Sequence, residues 1–109
     1  MFKAMILLTR RADVTHDVTH EQYEQWWLSV HVPLAKQLPE LRAATFNVVQ
    51  NPGAGEPDGI TELWFDSREA FDAAYASEIG KKVVADSMAN VSSRVRLFAA
   101  AHPRRLRRD

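Results

Sequence analysis

Hydrophobic positions along the chain fall into alternating and helical stretches. From Phe2 to Arg10 two alternating sets appear: Phe2, Ala4, Ile6 and Leu8, and Met5, Leu7 and Thr9 with Lys3 at the end. This predicts a strand, and because both sets are largely apolar, both faces should be covered. Arg11 to Val18 is a polar connection. From Thr19 to Leu38 the apolar residues Tyr23, Trp27, Val30, Leu34 and Leu38 recur at three- and four-residue steps, which predicts an amphipathic helix. Thr19 with Gln22 three residues on reads as a capping box, and Val18 with Tyr23 as a hydrophobic staple.

Pro39 stops that helix. Arg42 to Gln50 then alternates Ala44, Phe46 and Val48 with Thr45, Asn47 and Val49, a second strand. Asn51 to Gly59 is dense in turn formers and predicts a hairpin loop. Ile60 to Phe65 is the third strand, with Ile60, Glu62 and Trp64 on one face and Thr61, Leu63 and Phe65 on the other. Asp66 or Ser67 caps a second helix with Phe71, Ala74 and Tyr75 inward. Gly80 weakens it, and a further turn or two follows with Val84 and Met88 four apart. Val91 to Ala99 is the last strand.

The order βαββαβ, with right-handed crossovers, gives a four-stranded antiparallel sheet carrying its helices on one face: an α+β, ferredoxin-like fold. The other face is left bare although its strands are apolar. A homodimer joined through that face is therefore expected.

Composition narrows the chemistry. At 109 residues and 46% hydrophobic content the chain supports one core, read as a domain over residues 1–99 with a basic tail over 100–109. There is no cysteine, so thiolate nucleophiles and Cys-ligated metals are excluded. The apolar run between Lys3 and Thr9 is only five residues, too short to span a bilayer, and a cytoplasmic location is the expectation. Formal charge is zero, but the four Arg and one Asp from Arg104 to Asp109 leave a body of −3 when set aside. That Arg run has no interleaved aromatics, so it reads as a solvated terminus rather than a nucleic-acid or membrane site. His16 and His20 stand four apart among acidic residues, yet they share no helical face, and no metal site is assigned. The glycines of the 51–59 loop lack phosphate-binding spacing.

His31 stands out. It follows Trp27 by one turn and precedes Pro33 by two residues, where the proline ring should crowd the Ser29 carbonyl, kink the helix and push Val32 from helical angles. Two readings stay open: a core histidine satisfying a freed carbonyl, or a functional group facing a cavity at the bend. Glu62 is the second anomaly, a carboxylate inside an apolar strand that needs a partner or an exposed face.

Tyr23, Trp26, Trp27, His31, Pro33 and Leu34, with the later DGITELWFDS from Asp58 to Ser67, resemble the EthD family of dimeric α+β barrels across roughly residues 3–99. The family usually has Phe and Tyr where this chain has Tyr23 and Trp26. Its name comes from a cluster degrading ethyl tert-butyl ether, and its own reaction is generally unassigned. Similar barrels include muconolactone isomerases and cofactor-free monooxygenases of aromatic polyketides. The resemblance implies a cofactor-independent enzyme on a small apolar or aromatic compound, by proton transfer, isomerisation or oxygenation. His31 would be the general acid or base, with Tyr23, Trp27, Trp64 and Tyr75 shaping a cleft. Glu62 would orient the imidazole or bind a substrate hydroxyl if its face turns towards the helices. Plain core packing is the alternative for each aromatic. The competing functions are a non-catalytic small-molecule-binding or auxiliary protein of an oxidative system, and haem ligation by His31, for which no propionate-binding cluster is evident.

Overall fold

The computed structural model describes residues 1–13 and 17–107. Four strands, β1 (Phe2–Arg10), β2 (Ala43–Val48), β3 (Gly59–Phe65) and β4 (Val91–Ala100), form one sheet in the order β2-β3-β1-β4 with every neighbouring pair antiparallel. The helical elements α1 (His20–Trp26), α2 (Val32–Ala35), α3 (Arg68–Ala76) and α4 (Glu78–Asn90) join them, with a wide π-helical turn over Trp27–His31 between α1 and α2. This is the α+β, ferredoxin-like arrangement, helices on one face of the sheet.

Strand alternation sorts the side chains cleanly. Ala4, Ile6 and Leu8 of β1 and Thr61, Leu63 and Phe65 of β3 are buried towards the helices. Their neighbours Lys3, Met5 and Leu7, and Ile60, Glu62 and Trp64, line the opposite face. Register carries the same division into β4: Arg94, Arg96 and Phe98 pair with Leu8, Ile6 and Ala4 on the helix side, while Val95 and Leu97 are 47% and 51% exposed on the open side. From the helices, Tyr23, Trp27, Ala35, Leu38, Phe71, Ala74 and Val83 complete the core. Each large side chain so buried contributes on the order of 1.5–3 kcal/mol.

The capping box at Thr19 is complete: its hydroxyl accepts from the Gln22 backbone N–H at 3.1 Å, and its own N–H donates to the Gln22 side chain at 2.9 Å. Beyond it the helix differs from expectation. Val32 stays helical (φ −59°, ψ −48°) and is not pushed from helical angles by Pro33. The wide turn absorbs the proline instead, with the Val32 N–H donating five residues back to Trp27 O. Steps of four drift by about 40° in a regular helix of 3.6 residues per turn. The wide turn takes that drift back, so Tyr23, Trp27, His31 and Ala35 all face the sheet while Val30 swings out to 52% exposure.

A second correction concerns the last helix, which is 13 residues long rather than a turn or two. Its inward positions are Gly80, Val83 and Ser87, and Met88 is 65% exposed. Gly80 does not weaken a continuing helix; it lets α4 start hard against the end of α3. A Cβ there would collide with the Ala74 carbonyl and stand 2.5 Å from Tyr75 Cα. Ser77 serves both sides of the junction, ending α3 and accepting from the Gly80 N–H at 3.1 Å.

Gly59 opens β3 where α1 crosses closest. A Cβ there would meet the Tyr23 hydroxyl and lie 2.9 Å from two ring carbons of Trp27. Those rings are 1% and 0% exposed and have no room to move away. Gly59→Ala should therefore destabilise the fold by about 1–3 kcal/mol, as overpacking does, read as a lowered denaturation midpoint with an unchanged slope.

Candidate functional site

The wide turn sets His31 between helix and sheet at 4% exposure. Its Nδ1 lies 2.8 Å from Asp86 Oδ2, and its Nε2 lies 3.4 Å from the hydroxyl oxygen of Ser87. Asp86 and Ser87 are consecutive on α4, so one helix end supplies both partners of the ring. A carboxylate only accepts, so Nδ1 carries the proton and donates it to Asp86. The lone pair then falls on Nε2. The ring lines a small internal cavity of about 10 Å³, room for roughly one water, together with Thr61, Tyr75, Ser87 and Arg94 among aliphatic side chains.

Burial lowers the His31 pKa by penalising the imidazolium. The hydrogen bond and charge of Asp86 pull the other way, and the nearby Arg94 charge adds to the lowering; the net direction is down. The ring is thus neutral at pH 7, the state a base needs. Tyr75 is raised by burial, with Arg94 partly opposing, so its hydroxyl keeps its proton. Trp26, with its ring centroid 5.3 Å from that of His31, covers the imidazole.

The predicted site residues divide between two faces. His31 and Tyr75 share the cavity. Tyr23 and Trp27 do not line it: they stack on each other at 5.5 Å and pack on Gly59 and Phe46. Glu62 cannot orient His31, because it lies on the opposite sheet face, where it accepts from Lys3 Nζ at 3.0 Å and Asn47 Nδ2 at 3.2 Å. Its pKa is lowered chiefly by the Lys3 hydrogen bond. Trp64 is on that face too, its ring 5.3 Å from the Lys3 ammonium. Asp86, Ser87 and Arg94 were not singled out from the sequence, since nothing local marks them. Only the packing of α4 and the register of β4 bring them to His31.

A second buried cluster surrounds Asp58, which is 1% exposed. Its carboxylate accepts from the Arg10 backbone N–H at 2.8 Å and the Arg10 guanidinium at 2.9 Å, and meets His20 Nδ1 at 2.8 Å. Burial raises its pKa, but these partners together outweigh that and hold it below the usual range. His20 is therefore engaged with Asp58. Its suggested companion His16 lies outside the described residues, among which no group of three metal-ligating side chains occurs. Haem does not fit at His31: with Nδ1 held by Asp86 the nitrogen left for iron is Nε2, and the cavity that the ring lines has room for about one water.

The arrangement fixes an expected titration. His31 should titrate below the 6.5 of a free histidine, and Asp86→Asn should lower it further by removing the stabilising charge. Because the unfolded chain binds the proton first, stability should rise with pH between the two values and be complete above the unfolded one. NMR titration of the imidazole, paired with denaturation from pH 5 to 8, measures both.

No curated protein matches the sequence. Among solved structures, an ethyl tert-butyl ether D (EthD) family protein from Bacillus halodurans superposes with TM-score 0.76 at 19% identity, covering 94% of this chain and 99% of that one. A dimeric ferredoxin-like protein of unknown function from Thermobifida fusca gives 0.72 at 21% identity, covering 92% and 90%. SnoaB, a cofactor-independent oxygenase from Streptomyces nogalater, gives 0.67 at 11% identity, covering 94% of each. At these identities the likeness establishes the fold. No helix among the described residues is long and apolar enough to cross a membrane. The EthD domain model matches residues 15–93, and the chain belongs to the EthD family.

Proposed function

We propose that the protein is a cofactor-independent enzyme acting on a small apolar or aromatic compound, with His31 as its general base. The observation that carries this reading is the Asp86–His31 pair: one nitrogen tied at 2.8 Å to a carboxylate, the other 3.4 Å from Ser87, on a ring that lines a small internal cavity with that serine. A purely structural histidine would have both nitrogens closed off by firm partners. Here Nε2 has only a long approach from Ser87 and a neutral resting state, which suits removal of a proton from an activated carbon or a phenol. Asp86 orients the ring and stabilises the imidazolium that forms, the task that the sequence reading gave to Glu62. The oxygenase named among the similar structures is consistent with this chemistry. The alternative, a non-catalytic binding protein, has the same cavity in its favour.

His31→Ala and His31→Gln should each reduce turnover about 10²- to 10⁴-fold, the usual contribution of a positioned base. In the wild type kcat/KM should rise with pH through a value below 6.5 and level off by neutrality. Native mass spectrometry for a retained small molecule, followed by assays on related phenols and enolisable ketones, supplies the substrate. Unchanged turnover in both variants would favour the binding-protein reading.

The working unit is a homodimer closed through the open sheet face into an α+β barrel. Met5, Leu7, Ile60, Trp64, Val95 and Leu97 make that face apolar across three strands, more than an isolated chain usually leaves to water. Light scattering at micromolar concentration should give twice the 12.4 kDa chain mass, and Leu97→Glu should shift the population towards the single chain.

A further inference from the structure

We infer that Arg94 is an anion anchor, and that the ligand of the His31 cavity presents to it anionic oxygen: a carboxylate, or the enolate or phenolate left after proton removal. This inference rests on the enzyme reading of the site. Arg94 stands on β4 opposite Leu8, on the helix side of the sheet. Its Nε and Nη2 are buried with no acceptor, an unusual state for a permanently charged group. Among the described residues no carboxylate lies within ion-pair distance of it, and Asp86, the acid beside His31, is paired with the imidazole. Its guanidinium carbon is 5.9 Å from the centroid of the Tyr75 ring, and its charge reaches His31.

The guanidinium is part-exposed and hydrogen-bonded to the Tyr75 side chain, but its two buried donors still lack an acceptor, a state that an anion would complete. The cavity wall supplies no such anion, so the ligand is the natural source. The way in is marked as well. Of the residues lining the cavity, only Tyr75 and Arg94 retain partial exposure; all the others are buried. A ligand entering there meets Arg94 and the protonated Tyr75 hydroxyl first and His31 Nε2 behind them. Arg94 has a long, rotatable stem that can swing to widen a space now fit for about one water.

The chemistry then balances within this chain. His31 Nε2 takes the proton from a C–H or O–H of the ligand, and the electron pair left behind settles on the ligand oxygen. Two N–H groups of Arg94 donate to that oxygen, in the manner of an oxyanion hole. Negative charge appears beside Arg94 as positive charge appears on His31, next to Asp86. Each new charge has an opposite one waiting.

Sodium formate, the smallest carboxylate probe, tests the anchor without requiring turnover. Titrated into the uniformly ¹⁵N-labelled protein at constant ionic strength, formate should shift the Arg94 Nε–H and His31 ring resonances saturably. Its affinity, followed on the His31 ring, should fall at least tenfold in Arg94→Gln and at least threefold in Arg94→Lys, whose single ammonium lacks the paired donors. Should Arg94→Gln fail to fold, Arg94→Lys decides by its own threshold. His31→Gln, followed through the Arg94 resonance, should bind formate within about twofold of wild type, so loss of the base and loss of the anchor are separable. Non-saturating shifts, or equal affinity in the folded Arg94 variants, would overturn the assignment. Formate binding through Arg94 together with full turnover in His31→Gln would leave the anchor standing and remove the base.

Discussion

The Asp58 carboxylate is the constraint on which the rest of this fold turns. Its own N–H donates to Leu8 O at 2.8 Å, its carbonyl accepts from the Val49 N–H at 2.9 Å, and its side chain joins Arg10 and His20. One residue therefore touches the end of β1, the start of β3, the strand leaving β2 and the first turn of α1. Removing one partner of a buried, paired charge typically costs about 3–5 kcal/mol, far more than an exposed ion pair is worth. Gly59 follows immediately and admits the Tyr23 and Trp27 rings against the sheet. The helix carrying His31 is thus fixed at its N-terminus by charge and along its length by aromatic packing. The imidazole inherits its position from both.

Much of this was legible in the sequence because it is local. The β1 alternation, the Thr19–Gln22 capping box and the Ser67 cap each depend on residues a few positions apart, and all appear as read. The division of Ile60, Glu62 and Trp64 from Thr61, Leu63 and Phe65 was equally plain. Which of those sets faced the helices was not, because a strand of period two reads the same from either side. The role of Glu62 beside His31 hangs on that choice, and its pairing with Lys3 and Asn47 on the open face leaves the condition unmet. The same limit hid Asp86: it lies 55 residues from His31, and no spacing rule connects two helices through their packing.

The open face has its own logic. Lys3, Glu62 and Asn47 form a polar group amid Met5, Leu7, Ile60 and Trp64, on three adjacent strands. The pair is part-exposed, with side chains 18% and 22% accessible, and contributes little to the stability of a single chain. Against a second copy it would instead penalise any registration that leaves one of its charges unpaired. Polar groups of this kind select among arrangements that hydrophobic contact alone would leave nearly equivalent.

The wide turn from Trp27 to His31 also bears on how this segment can change over time. It works as a one-residue insertion in an otherwise regular helix, tolerated because Pro33 could not have completed a regular turn anyway. Deleting one residue from it would return the segment to 3.6 residues per turn and leave α2 close to its present phase with α1, because the widening had absorbed that residue locally. Substitutions at the outward positions Leu28 and Val30 would be absorbed, since both side chains already face water. This stretch is therefore a place where the chain can take up one residue more or less while the helices on either side keep their seats on the sheet.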